Sequence, residues 1–178
     1  MSSYLIALVQ EVMEENANME TEAGVRLERR DFDLWPLVEA LIQDLNPIAG
    51  TSSVKLVNQV SEDLSVFADA SLIKRVFQNL IANAIHHAPA GEIVISARPV
   101  DGYVQCEVRD NGVGIGPEHL PHVFDKYETG NDSSSGFGLG LAICKTFVEA
   151  HGGTICVSST GDRGTAFRFT LPKWESNQ

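Results

Sequence analysis

Gln78-Asn-Leu-Ile-Ala-Asn-Ala-Ile-His-His-Ala-Pro89 is the stretch on which the reading of this chain turns. Leu72, Ile73, Val76, Phe77, Leu80, Ile81, Ala84 and Ile85 recur at helical spacing, which predicts a helix from about Ala70 to His87 with one core-facing stripe. Asp69 can cap its start, and Pro89 with Gly91 ends it. Asn79 and Asn83 stand four residues apart on another stripe, and His86 lies three further on. Asparagine is a mediocre helix former, so two on one stripe need a reason. One reason is a solvated face. The other is chemical: a neutral amide oxygen ligates Mg²⁺ without adding charge, while phosphates and water supply the remaining ligands.

Two glycine segments follow. Asp110-Asn111-Gly112-Val113-Gly114-Ile115-Gly116 comes directly after a strand pattern. Asp-Asn-Gly is turn chemistry in any case. An acid at a strand end, flanked by residues without side chains, also lets a flat base approach the backbone. Its carboxylate can accept from an exocyclic amine, which adenine has and guanine lacks at the matching position. Gly136-Phe137-Gly138-Leu139-Gly140-Leu141-Ala142-Ile143 opens a second helix, and helix N-termini bind anions through free N–H groups and the dipole. Neither segment has the dinucleotide-binding spacing, and the absence of Gly-x-x-x-x-Gly-Lys-Ser/Thr excludes a P-loop. Taken together, the amides, the carboxylate and the glycine segments read as an ATP site.

Outward from these motifs, Asp33 is a plausible N-cap for a helix with Pro36 in its first turn, ending near Pro47 or Gly50. Strand patterns cover Lys55–Val60, Ser65–Ala68, Glu92–Arg98, Tyr103–Arg109, Thr154–Ser159 and Ala166–Leu171. Val100-Asp101-Gly102 signals a hairpin between two of them. The region from Gly112 to Gly140 reads as loop-dominated, and a helix from about Leu139 to Ala150 stops at His151-Gly152-Gly153. This order predicts an α/β fold, a two-layer sandwich whose mixed, antiparallel-rich sheet is covered by helices on one face. Ahead of it, Leu5, Leu8, Val9, Val12 and Met19 form a narrow helical stripe over residues 4 to 20, suited to a coiled-coil or bundle seam. The charged segment that follows reads as a linker or short strand.

Composition narrows the partners. The 178 residues suit one domain with an appended helix, and the net charge of −11 argues against nucleic acid and anionic membrane as ligands. Cys106, Cys144 and Cys156 lack metal-ligand spacing and read as buried thiols in a reducing compartment. No apolar run reaches the length of a membrane span and no signal peptide is visible, so a cytoplasmic placement is expected, with a membrane anchor in a longer parent still compatible.

In order and spacing the motifs resemble the ATP-binding domain of bacterial sensor histidine kinases, in the GHKL superfamily with gyrase and MutL. The resemblance spans roughly residues 31 to 173. QNLIANAIHHAP looks like the N box, DNGVGI the G1 box, VFDKYE the F box and GFGLGLAI the G2 box. It implies ATP and Mg²⁺ as cofactors, with Asn83 as the metal ligand and Asn79 beside the phosphates. His86 and His87 would stand near the phosphates, where the family often places Lys or Arg and then Tyr or His. Asp110 would read the adenine amine, with Gly112, Gly114 and Ile115 shaping the pocket. Phe124 would anchor an ATP lid over about residues 117 to 135, with Lys126 its candidate phosphate contact. Gly136, Gly138, Leu139 and Gly140 would form its hinge, and Thr165 would assist adenine recognition.

The family's phosphoacceptor is a histidine on a dimerisation hairpin, with an acid beside it as base. All five histidines here (His86, His87, His119, His122 and His151) fall in the ATP-binding region, so no acceptor or catalytic base is visible. The expected organisation is the end of the hairpin's second helix at 1–24, a linker at 25–32, the ATP-binding domain at 33–174 and a tail at 175–178. The implied partners are the parent kinase's own hairpin, a response-regulator receiver domain and a second copy through the N-terminal helix. Two other readings share the motifs: a non-catalytic nucleotide-binding regulatory or docking module, which the weak cation content near the phosphates favours, and a serine kinase of the anti-sigma-factor type.

Overall fold

The computed structural model describes residues 26–88, 90–125, 137–160 and 164–174, with only the backbone of 137–139 and 160. The expected N-terminal helix, Lys126 and Gly136 lie outside them. Among the described residues, seven strands and three α-helices follow in the order β1 (Arg30–Asp33), α1 (Leu34–Thr51), β2 (Lys55–Asn58), β3 (Ser65–Ala68), α2 (Ala70–His87), β4 (Glu92–Val100), β5 (Tyr103–Asp110), α3 (Phe137–Ala150), β6 (Ile155–Thr160) and β7 (Gly164–Pro172), with a short 3-10 turn at Leu120–His122. A five-stranded sheet runs β2-β4-β5-β7-β6, and β1 pairs with β3 in a separate two-stranded ribbon. Among the described residues, β2 and β4 are the one parallel pair. The other pairs of the main sheet are antiparallel. This is the mixed-sheet, two-layer arrangement that the sequence predicts.

Period-two alternation sorts each strand. Ile93 and Ile95 of β4, Val104, Cys106 and Val108 of β5, and Phe167, Phe169 and Leu171 of β7 are buried, facing the helices. The ring of Phe77 on α2 meets Phe169 edge-on at 5.1 Å between centroids, which locks helix to sheet. The other sheet face is polar, with Glu107 bonded to Arg109 and Arg168, whose nearest N–O distance is 2.7 Å. The β4–β5 hairpin closes through Asp101 and Gly102, with φ of 49° and 85°, as the Asp-Gly signal predicts.

Several boundaries differ from expectation. Helix α1 runs through Pro47 to Thr51, because Leu45, Ile48 and Ala49 are buried and packing outweighs the hydrogen bond that proline forfeits. Asp33 holds the N-cap position without capping through its side chain. The charged segment before α1, read as a linker or short strand, supplies β1. Helix α3 begins at Phe137, so Gly138 and Gly140 belong to its first turn and not to a preceding loop. Cys106 and Cys144 are buried, but Cys156 is exposed, since it falls on the polar face of β6 opposite Arg168.

Candidate nucleotide site

The register of four strands aligns one row of side chains at the end of the sheet. Ile93 pairs with Asp110, Asp110 with Thr165, and Thr165 with Ser159. Residues directly opposed in an antiparallel ladder project from the same face, and here that is the face covered by helices. Asp110 and Thr165 are 4% and 5% exposed. Asp110 Oδ1 accepts the Gly112 N–H at 2.9 Å. Burial pushes the Asp110 carboxyl above its ordinary pKa, against the opposing pull of the Gly112 and Thr165 N–H groups.

Glycine is required around this row for close approach. A Cβ on Gly112 would strike the His87 carbonyl and come within 2.8 Å of Ala88, so the strand end sits directly against the last turn of α2. A Cβ on Gly164, where φ is +83°, would strike the Asp110 carbonyl and come within 2.8 Å of Asn111. Asn111 in turn accepts the Glu92 N–H at 2.8 Å and ties β5 back to β4.

Helix α2 delivers the amides. Asn79 and Asn83 are 8% and 4% exposed, so the stripe is not a solvated face. Asn79 Nδ2 donates to the Gly140 carbonyl at 3.2 Å and braces α2 against the first turn of α3. The buried Cys144 thiol beside it is pushed up to about 12 by burial. The Asn83 amide makes no hydrogen bond to another described residue, and its polar atoms are not among those sealed from solvent. His86 is exposed and His87 half-buried, with their rings edge to face at 5.0 Å. Phe124 lies edge-on to Phe167 at 5.9 Å, which seats its ring against β7.

The structure therefore gathers Asn79, Asn83, His87, Asp110, Gly112, Gly140 and Thr165 around the C-terminal end of α2 and the end of the sheet. Ile115 and Phe124 pack against the same core. Ser159 and Asn111 are the residues the sequence reading passed over. Ser159 Oγ accepts the Ile115 N–H at 2.6 Å and approaches the Gly164 carbonyl at 3.1 Å. Counting outward from the β6–β7 turn would have placed it across from Thr165. A cleft of about 220 Å³ adjoins it, lined by Val113, Ile115, Gly116, Pro117, Leu120 and Ser159.

Residues 68–175 match the family described as histidine kinase-, DNA gyrase B-, and HSP90-like ATPase. The chain belongs to that family, and the domain is of its ATP-binding catalytic type. Sensor protein KdpD of Escherichia coli K12 is 37% identical over 153 residues, covering 84% of this chain and 17% of that protein. Sensor histidine kinase CusS of the same strain is 42% identical over 118 residues, 64% of this chain and 24% of the relative. The chain thus spans 17% to 24% of the length of these two relatives. Among solved structures, the catalytic domain of histidine kinase ThkA aligns with a TM-score of 0.74 at 30% identity, over 82% of this chain and 96% of that one. ThkA in complex with the response regulator protein TrrA aligns with a TM-score of 0.77 at 26% identity, over 97% of this chain and 49% of that one.

Proposed function

We propose that this domain holds Mg-ATP at the C-terminal end of α2 and orients its γ-phosphoryl group for transfer to a histidine on a dimerisation hairpin of the same parent kinase. The observation that carries this reading is a pair of buried polar groups with unspent capacity: the Asp110 carboxylate and the Asn83 amide. Polar groups in native interiors are otherwise paired, and open capacity of this kind is filled by water, an ion or a ligand. Asp110 accepts from the adenine amine, with Thr165 beside it. Asn83 suits Mg²⁺, because its amide oxygen is available and neutral and a triphosphate brings most of the remaining ligands. Bound there, the metal would neutralise phosphate charge. Asn79, Gly138 and Gly140 stand where the phosphates meet α3, and His86, His87 and Lys126 are the candidate basic contacts.

The domain's contribution is positioning and charge compensation, as in other phosphoryl transfers. No helix among the described residues is long and apolar enough to cross a membrane, and a cytoplasmic placement fits an ATP-consuming domain. The ThkA–TrrA complex supports a receiver domain as the onward acceptor, and the N-terminal helical stripe supports a homodimer.

Calorimetric titration of the whole chain with ATP, with and without Mg²⁺, tests the site. Binding should strengthen with Mg²⁺, and Asn83→Ala should abolish that strengthening at a cost of about tenfold in affinity. No heat at near-millimolar ATP in either condition would remove the proposal.

A further inference from the structure

The Ser159 hydroxyl stands at the end of the row Asp110–Thr165–Ser159 and makes three polar contacts. It accepts the Ile115 N–H at 2.6 Å, lies 3.1 Å from the Gly164 carbonyl and lies 3.2 Å from the Thr165 hydroxyl. A serine hydroxyl has one proton and two lone pairs, and a carbonyl can only accept. The assignment that satisfies all three contacts sends the Ser159 proton to Gly164 and takes a proton from Thr165. The reverse assignment, with Ser159 donating to Thr165, leaves two oxygens facing each other at Gly164.

We infer that Ser159 is a positioning residue for nucleobase selection: by drawing the Thr165 proton toward itself, it leaves Thr165 with only lone pairs beside the Asp110 carboxylate. Both side chains project from the same face at paired positions of β5 and β7. A base edge meeting them then faces acceptors only. An exocyclic amine suits that pair, and a keto oxygen at the same place is repelled, because a site built to accept leaves its groups unpaired against an acceptor. The same hydroxyl holds the Ile115 N–H, so it also fixes the glycine segment that walls the pocket. This inference rests on the proposed nucleotide site, and it adds the device by which an amino-purine is chosen over an oxo-purine.

The test is calorimetric titration of the whole chain with ATP and with GTP, in Mg²⁺, for wild type, Ser159→Ala and Ser159→Thr. Wild type should prefer ATP. Ser159→Ala frees the Thr165 proton to meet a keto oxygen, and the ratio of the two dissociation constants should narrow about tenfold, the worth of one hydrogen bond. Ser159→Thr keeps the hydroxyl and should keep the ratio. If Ser159→Ala does not fold by circular dichroism, Ser159→Cys, close in shape and a weak acceptor, takes its place. An unchanged ratio in the variant, even with both nucleotides weakened equally, would reduce Ser159 to a structural prop and overturn the inference. A wild type that binds ATP but shows no preference over GTP also overturns it. Wild type binding neither nucleotide would instead overturn the site itself, so the two failures are distinguishable.

Discussion

The two ends of α2 both bury polar side chains, and they treat them in opposite ways. At the N-terminal end Asp69, 6% exposed, is saturated. Its Oδ1 accepts from the Ser71 N–H at 3.1 Å, the Ser71 hydroxyl at 2.8 Å and the Leu72 N–H at 3.2 Å, while Oδ2 accepts the Glu28 N–H at 2.9 Å. Its own N–H donates to His151 Nε2 at 3.0 Å, and His151 Nδ1 donates to the Phe147 carbonyl at 2.7 Å. This assignment fixes the neutral tautomer, and both ring nitrogens are used. Burial raises the Asp69 carboxyl, but the donors from Glu28, Ser71 and Leu72 outweigh it and hold the pKa below its ordinary value. At the C-terminal end Asn83 is unbonded among the described residues, and burial leaves the Asp110 pKa raised. Burial alone therefore does not mark a functional polar group. Unspent hydrogen-bonding capacity does, and the first end reads as scaffold, the second as site.

Asp69→Ala should strike stability hardest. It removes a helix cap, worth about 1 kcal/mol, and strands the Glu28 N–H, so a total loss of about 2–3 kcal/mol is expected. The urea midpoint measures it. ATP affinity of the folded variant should stay within roughly twofold, because the two ends share no partners. A tenfold loss of ATP affinity with the fold intact would erase the distinction between scaffold and site. Asp110→Asn should show the converse. The amide oxygen can still accept from Gly112, and the loss of a charge that burial disfavours offsets any weakening at the Thr165 N–H, so stability should change by less than about 1 kcal/mol. ATP affinity should fall about 30-fold, since the new NH₂ faces the adenine amine donor with another donor. Calorimetry beside a melting curve reads both quantities. Lost stability with retained affinity would reverse the roles of the two ends.

Much of this contrast is legible in the sequence because it is local. The α2 stripe, the Asp69 cap and the Asp-Gly hairpin depend on residues within a few positions of one another, and each is found where expected. What escaped is non-local. The segment holding Arg-Asp-Phe-Asp reads as a linker or short strand, and what decides for strand β1 is the pairing of its backbone with β3 from Arg30↔Ala68 to Asp33↔Ser65. Strand β2 stops at Asn58 because that side chain turns to accept the Val60 N–H at 3.1 Å. The Ser159–Ile115 bond spans 44 residues of chain, so Ser159 reads in isolation as one more polar strand residue. Asn79 and Asn83 stood out as a pair, but only packing shows that one braces α3 and the other is left open.

The smallest expected effect is a pH dependence confined to the scaffold end. Burial lowers the His151 pKa from 6.5, against the Phe147 carbonyl and the Asp69 charge, while Arg29 adds to the lowering. The folded state therefore excludes a proton that the unfolded chain takes up near pH 6.5. Stability that is complete above this unfolded value is lost as pH falls toward the lower folded value, with a slope of at most about 1.4 kcal/mol per pH unit. Asp69 adds its own loss only in the acid range near and below the ordinary carboxyl value of 3.8. Asp110 has the opposite sign: its raised pKa makes protonation favour the folded state as pH falls. Urea midpoints at about pH 7.5 and 5.5 for wild type and His151→Gln isolate the histidine. The glutamine variant should be less stable at the higher pH, yet lose less stability than wild type on acidification, the difference bounded by that slope. Parallel slopes would mean that His151 does not resist its proton, and the saturated end would then have no electrostatic signature of its own. Divergent slopes would show that acid loosens the junction holding Glu28, α2 and α3 together.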